Sequence, residues 1–219
     1  MEMLAEWFEP LRQIADVGGP VVVVLMCVAV LALAVTIYKV WQFWMAGVGR
    51  HRALRTAVQA WDGGDRTTAR TELGRSTSYL APVIDMALSA TPDMVTRLQA
   101  DAETRFAKLE SGFRFLDSVA QLAPLLGLFG TVLGMIEAFQ SLQDAGAQVD
   151  PSILAGGIWV ALLTTAVGLV VAMPTALVLS WLESRMEAER VIADKAIMTI
   201  LQPRGVSPTA QPDMVAAHG

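Results

Sequence analysis

The sequence predicts an all-α membrane protein with three transmembrane helices. Of its 219 residues, 54% are hydrophobic and only 17% are charged, whereas about a quarter of a soluble domain is charged. The mean hydropathy is +0.49. Three apolar stretches, residues 18–40, 118–139 and 153–182, each have the length that a helix needs to cross a bilayer. The polar segments between and after them have helical periodicity, which predicts long helices extending into the cytoplasm.

Composition also excludes several functions. The net charge of −5 and the lack of a basic stripe argue against nucleic-acid binding. A single cysteine, Cys27, and two distant histidines, His51 and His218, offer no disulfide framework and no metal-ligand spacing. No catalytic motif is present, so we expect neither an enzyme nor a cofactor.

The first apolar stretch is predicted to be a retained span, not a cleaved signal peptide. A signal peptide opens with positive charge, but acidic residues precede this stretch: Glu2, Glu6, Glu9 and Asp16. Residues 1–17 form an amphipathic pattern, which fits a helix on the membrane surface and equally a helix on a protein partner. Gly18-Gly19-Pro20 is predicted to break this helix before the first span.

Basic residues set the predicted topology. Lys and Arg are frequent in residues 41–117 and 183–202, whereas residues 140–152 have none. By the positive-inside rule, the N-terminus lies outside, and the C-terminus and residues 41–117 are cytoplasmic.

The cytoplasmic region is predicted to contain two or more helices interrupted at Gly63-Gly64 and Gly74. Thr91-Pro92-Asp93 has the pattern of a capped helix start, and no stop signal precedes Pro124, where a kink inside the membrane is expected. We therefore expect one long helix from Pro92 to Phe139. The remaining segments are predicted as an outer loop (140–152), span three (153–182), a cytoplasmic helix (183–202) and a disordered tail (203–219).

Spans two and three are predicted to pack closely inside a bundle. Glycines at i, i+3 and i+7 lie on one face of a helix and allow another helix to approach. The candidate packing residues are Pro124, Gly127, Gly130, Gly134, Gly168 and Pro174. Neighbouring helices in a bundle can satisfy the carbonyls that the prolines leave free.

Polar residues at membrane depth are the candidate pore-lining groups: Thr131, Thr164, Thr165 and Glu137. Polar groups there are costly and often mark an ion path. Alternatively, each threonine hydroxyl bonds the carbonyl four residues before it, and Glu137 extends to the outer surface. Pairing residue 131 with residue 165 in an antiparallel hairpin places Glu137 level with Trp159 and Val160. Three spans do not enclose a pore, so a ring of subunits is expected.

The stretches LAPLLGLFGTVLGMIEAF (Leu122–Phe139) and AGGIWVALLTTAVGLVVAMPT (Ala155–Thr175) resemble the two signature helices of the MotA/TolQ/ExbB proton channel family, and are most similar to the ExbB/TolQ branch. The resemblance implies a homopentamer in the bacterial inner membrane, with a periplasmic N-terminus. It also implies two partners, an ExbD/TolR-like single-span protein whose Asp carries protons and a TonB/TolA-like protein. The family's pore threonines correspond to Thr131 and Thr165.

One residue departs from the family pattern. Family members carry a Glu in helix three, in a pattern like GIxEALxxTA, where this chain reads GIWVALLTTA and has Val160. Our hypothesis is that Glu137 supplies the missing carboxylate. The alternatives are a non-conducting membrane scaffold of the same fold, which Val160 permits, and a flagellar-type stator, which the three-span plan disfavours.

Overall fold

The structure, a computed structural model, describes residues 2–144 and 151–203, with the side chains of 19–144, 151–152 and 154–203. All regular elements in this part of the chain are helices: α1 Glu2–Met45, α2 Arg52–Asp62, α3 Arg66–Gly74, α4 Ala81–Leu88, a 3-10 turn Pro92–Met94, α5 Val95–Glu110, α6 Phe113–Asp144 and α7 Pro151–Leu201. Three helices are long and apolar enough to cross a membrane: Gly19–Met45, Phe113–Asp144 and Leu154–Leu201. The prediction of an all-α chain with three helices able to span a membrane is thereby confirmed for the described residues.

The predicted break before the first span lies inside α1. Gly19 has φ 67° and ψ −168°, a non-helical conformation between two helical stretches. A positive φ suits glycine because it has no Cβ, and Pro20 then stands in the first turn of the span, where its missing N–H is not needed. The side chains of residues 1–18 lie outside the described part, so the surface placement of the amphipathic helix stays a prediction.

The chain divides into two compact units. The first, called here the apolar unit, comprises Met1–Val40 and Ser111–Glu183; the second, the polar unit, comprises Trp41–Glu110 and Ser184–Gly219. In the apolar unit α1, α6 and α7 meet at Leu25, Ala123 and Ala172. Its outside is covered by large apolar side chains, with Leu177 73% exposed. An apolar surface of this extent fits lipid or a neighbouring chain.

The prediction of a single long helix from Pro92 to Phe139 is wrong. The chain leaves helical geometry between α5 and α6, where Gly112 has φ +92°. This is the left-handed conformation that commonly ends a helix. Buried Lys39 of α1 donates a hydrogen bond to Ser111 beside the break, with Nζ 3.2 Å from Oγ. At the other end, the Thr91 side chain makes no capping hydrogen bond; instead its carbonyl accepts from the Met94 N–H at 2.9 Å.

The second half of the chain agrees more closely with the sequence analysis. The third span and the amphipathic segment after it form one helix, α7, which ends at Leu201. Helix α6 continues to Asp144, so part of the expected outer loop is helical. Residues 145–150 of that loop lie outside the described residues, as does the predicted disordered tail from residue 204 onward.

The polar unit consists of several helices, as expected. Helix α2 ends at Asp62 before Gly63-Gly64, and α3 ends at Gly74. Asp65 caps α3, because its carboxylate accepts the Thr68 N–H at 3.0 Å. Beyond Leu182, buried positions recur on α7 every three to four residues: Met186, Glu189, Ala193, Ile197 and Ile200. This stripe holds α7 against the rest of the polar unit.

Candidate functional site

The candidate site is the seam between α6 and α7 in the apolar unit, and glycines set its geometry. Gly127, Gly130 and Gly134 are all buried on one face of α6. A Cβ added at Gly130 would lie 2.7 Å from the Cβ of Thr164, and one added at Gly168 would lie 2.6 Å from the carbonyl oxygen of Ala123. No side chain fits at these distances. The two helices therefore approach at the distance that only glycine permits.

The register of this antiparallel hairpin follows from small residues that face one another. Gly134 lies opposite Ala161, and Gly157 lies opposite Ala138. In the same register, residue 131 is opposite residue 164, whereas the sequence analysis paired it with residue 165. The predicted alignment thus differs from the observed one by one residue, and Thr131, Thr164 and Thr165 do lie at one level of the hairpin.

Thr164 is buried inside the seam. Its hydroxyl contacts two carbonyl oxygens, at 2.7 Å from Ala161 and 3.1 Å from Gly127. The second contact crosses from α7 to α6, and the side chain packs against Gly130. The Thr164 hydroxyl is therefore already used within the hairpin.

The other two threonines differ in how their hydroxyls are used. The Thr131 hydroxyl, on a half-buried side chain, donates to the carbonyl of Leu128 at 2.6 Å. The Thr165 oxygen is buried and has no hydrogen-bond partner within the described part of the chain. A buried unpaired hydroxyl costs about 1–3 kcal/mol. Among the three threonines, Thr165 therefore has an unused hydrogen-bonding capacity.

Glu137 and Val160 lie nearer the end of the hairpin that is formed by the C-terminal part of α6 and the N-terminal part of α7. Because Ala138 faces Gly157, Glu137 is level with about Ile158, close to the expected Trp159 and Val160. The Glu137 side chain is exposed, while Val160 is half-buried. The structure thus places the carboxylate at nearly the depth that the sequence analysis assigned to it.

The two prolines lie inside uninterrupted helices. Pro124 of α6 is half-buried and follows Ala123, which belongs to the three-helix core. Pro174 of α7 is exposed. Pro124 is therefore placed where the three helices meet, and Pro174 on the outside of the apolar unit.

The polar unit contains a buried polar cluster that was not predicted from the sequence. Glu189 of α7 is 1% exposed. Its carboxylate accepts from the Tyr79 hydroxyl and the Gly49 N–H, both at 2.9 Å, and pairs with the His51 Nε2 at 2.7 Å. The His51 Nδ1 lies 3.1 Å from the Ser78 hydroxyl. One feature of the sequence could have revealed this cluster: Glu189 falls among the apolar residues that recur every three to four positions on α7. A carboxylate at such a position is expected to be buried and therefore to need hydrogen-bonding partners.

Electrostatics in this cluster favour an ionised carboxylate. Glu189 lies beyond residue 182, where the predicted third span ends. Burial raises its pKa, but hydrogen bonding and charge from His51 and hydrogen bonds from Tyr79 and Gly49 lower it more, so the pKa lies below its usual value. Burial and the Glu189 charge raise the pKa of Tyr79 well above its usual value, so the phenol stays protonated as a donor.

These features define a helical membrane protein whose second and third spans form a glycine-lined hairpin with hydroxyls at its middle. The model of the MotA/TolQ/ExbB proton channel family matches residues 76–195, more than half of the chain. The chain belongs to this family.

Three curated relatives illustrate the similarity. The biopolymer transport protein exbB1 of Vibrio cholerae is 45% identical over 67 residues, which are 31% of this chain and 29% of the relative. The Tol-Pal system protein TolQ of Haemophilus influenzae is 41% identical over 80 residues, 36% and 35% of the two chains. A putative biopolymer transport protein ExbB homolog of Methanothermobacter thermautotrophicus is 30% identical over 135 residues, 60% and 47%. The matched part therefore spans about a third to a half of these relatives.

Proposed function

We propose that this chain is an ExbB/TolQ-like subunit of an inner-membrane proton channel. In this proposal five copies surround the single transmembrane helices of an ExbD/TolR-like partner. The assembly couples proton flow to a TonB/TolA-like protein and so energises transport or other envelope work. The observation that carries the proposal is the buried Thr165 hydroxyl, which has no hydrogen-bond partner among the described residues, in a family whose pore it is expected to line.

The chain's own packing supports a ring. The Thr164 hydroxyl and the glycines are used within the hairpin, so they hold α6 and α7 together. Thr165 is left to bond a group from outside the hairpin. A water molecule or a carboxyl group of a partner helix satisfies a hydroxyl, because a hydroxyl can both donate and accept. An acidic helix in the middle of the ring meets this need.

In this mechanism the chain holds a proton path and does not perform covalent chemistry. The proposed path contains Thr131 and Thr165, with Glu137 nearer the outer end. The Thr131 hydroxyl keeps two acceptor lone pairs while it donates to Leu128. Glu137 supplies the ionisable group that Val160 lacks, and the partner's Asp carries the proton through the middle.

The topology in this proposal follows the distribution of charge. The N-terminus and the α6–α7 connection lie in the periplasm, where residues 140–152 have no Lys or Arg. The polar unit and the C-terminus lie in the cytoplasm. Lipid covers part of the exposed apolar surface of the apolar unit.

The Thr165→Val variant tests the assigned hydroxyl. Valine has nearly the same shape but cannot hydrogen-bond, and one hydrogen bond worth about 1.4 kcal/mol corresponds to a tenfold change in rate. We expect partner-dependent proton flux into vesicles, followed with a pH-sensitive dye, to fall by about tenfold or more. Thr175→Val is the matched control, because the Thr175 hydroxyl donates to Val171 of its own helix at 2.8 Å. Equal flux in both variants would remove Thr165 from the path.

Glu137→Gln tests the carboxylate in the same vesicles. Glutamine keeps the size of the side chain and removes its charge, so we expect flux to fall several-fold. Unchanged flux would show that Glu137 does not replace the family's glutamate.

The second candidate function is a non-conducting scaffold, which Val160 at the usual position of the acid favours. In that case the wild-type chain shows no partner-dependent flux, and Val160→Glu creates it.

A further inference from the structure

The polar unit contains an open groove between α2 and the C-terminal part of α7. Its volume is about 930 Å³. The two helices run side by side in the same direction: His51, just before α2, pairs with Glu189, and the Trp61 indole donates to the carbonyl of Ile200 at 3.0 Å. The groove is lined from Leu54 to Asp62 of α2, a length of about 12 Å at 1.5 Å per residue.

The groove has an apolar lining that is partly exposed to solvent. Buried Leu54 and half-buried Val58 of α2 line it together with Val191 and Met198 of α7. Val191 is 59% exposed and Met198 is 46% exposed. Exposed apolar groups rimmed by polar ones mark interaction sites.

The rim of the groove has an excess of positive charge. Arg55 and Lys195 line it, with Asp62 as the acidic residue among the lining side chains. Neither cation has a carboxylate oxygen within 4.0 Å in the part of the chain that the structure describes. An occupant with an apolar group beside a carboxylate fits this surface.

The chain itself presents such a group on α4. Among the described residues of the polar unit beyond α1, three large apolar side chains are more than 40% exposed: Met86, Val191 and Met198. Two of them line the groove, and the third, Met86, is on α4 at 43% exposure. Asp85 is next to it, also exposed and without an ion pair in the described residues.

We propose that the groove of one copy receives α4 of the next copy. Met86 lies against Val191 and Met198, and Asp85 pairs with Arg55 or Lys195. The groove and α4 are different surfaces, so the contact is heterologous and repeats head to tail until it closes a ring. This inference rests on the proposed ring of subunits and names the surfaces by which its polar units meet.

Disulfide cross-linking in membranes tests the contact. The full chain carries Cys27→Ser to remove the native thiol, together with Met86→Cys and Met198→Cys. Mild oxidation is expected to give a ladder of covalent multimers up to the size of the closed ring. The matched control moves the first cysteine to exposed Arg97 of α5 (Arg97→Cys with Met198→Cys), and its cross-linked fraction is expected to be at least about fivefold smaller.

Charge exchange gives an independent readout. Asp85→Lys is expected to reduce the cross-linked fraction several-fold, and adding Lys195→Asp or Arg55→Asp is expected to restore it. The control Asp93→Lys, at an exposed acid that is neither on α4 nor among the residues lining the groove, is expected to have no effect.

The outcomes separate this inference from the proposed function. A purified wild-type ring whose Met86–Met198 pair gives no more cross-linking than the Arg97 control overturns the α4 contact and leaves the ring intact. Loss of cross-linking only when another protein is bound assigns the groove to that protein and also overturns the inference. A wild-type chain that forms no ring overturns the proposed function itself.

Discussion

Replacing Gly168 by alanine is expected to destabilise the α6–α7 hairpin and to remove most of the proposed proton flux. The new Cβ would lie 2.6 Å from the carbonyl oxygen of Ala123 and 3.2 Å from the Cα of Gly127. Both atoms belong to the backbone, so the helices themselves must separate. Alanine gains about 1 kcal/mol over glycine in helix propensity, but overpacking of a tight interface costs about 1–3 kcal/mol or more. Separation also removes the Thr164–Gly127 hydrogen bond.

The measurement is the thermal unfolding midpoint of the detergent-purified chain, together with vesicle proton flux. Gly156→Ala is the matched control: Gly156 is on the same helix, and its added Cβ meets nothing within 4 Å. We expect the Gly168 variant to lose several degrees and most of its flux, and the Gly156 variant to retain both. An equal effect of the two substitutions would contradict the close seam.

Replacing Glu189 by alanine is expected to release α2 from α7 in the polar unit. The Tyr79 hydroxyl, the Gly49 N–H and buried His51 all lose their common acceptor. Removal of one member of a buried pair costs about 3–5 kcal/mol, because the remaining groups stay buried without partners. Hydrogen exchange of the amides of residues 49–62 reports this loss directly. The control is Glu187→Ala, two residues away on the exposed face of the same helix.

The same cluster predicts a dependence on pH. The pKa of Glu189 is lower in the folded chain than in the unfolded chain, so its stabilising effect is fully present at neutral pH. That effect disappears as the pH falls through the folded pKa and the carboxylate becomes protonated. In the wild type, exchange of residues 49–62 is expected to rise in acid. In Glu189→Gln, which is uncharged throughout, the rise should be smaller; an identical acid response in the two proteins would contradict the assignment.

The hairpin was predictable because its signal is local. Glycines at residues 127, 130 and 134 mark one face of α6, and the corresponding small residues of α7 fix the register to within one residue. The break at Gly112 was not predictable from periodicity. Its positive φ coincides with the packing of Lys39, which reaches Ser111 from a helix 72 residues earlier in the chain.

The polar cluster around Glu189 in the polar unit was not predictable for the same reason: its contacts join distant parts of the chain. His51 and Glu189 are 138 residues apart, so no short pattern joins them. Only the spacing of buried residues on α7 indicated that one carboxylate faces inward. Thr165 illustrates the opposite case. The resemblance of the sequence to the family predicts a place for it in the pore, whereas the missing hydrogen-bond partner of its hydroxyl, among the described residues, emerges only from the folded hairpin.

We propose that this chain acts as a ring around another protein's acidic helix. The most direct test is the mass of the detergent-purified particle, with the chain expressed together with an ExbD/TolR-like single-span protein that carries an Asp in its helix. We expect a particle of five copies, of 23.5 kDa each, with the single-span protein retained through purification. A 23.5 kDa monomer that never retains this companion would contradict the proposed ring.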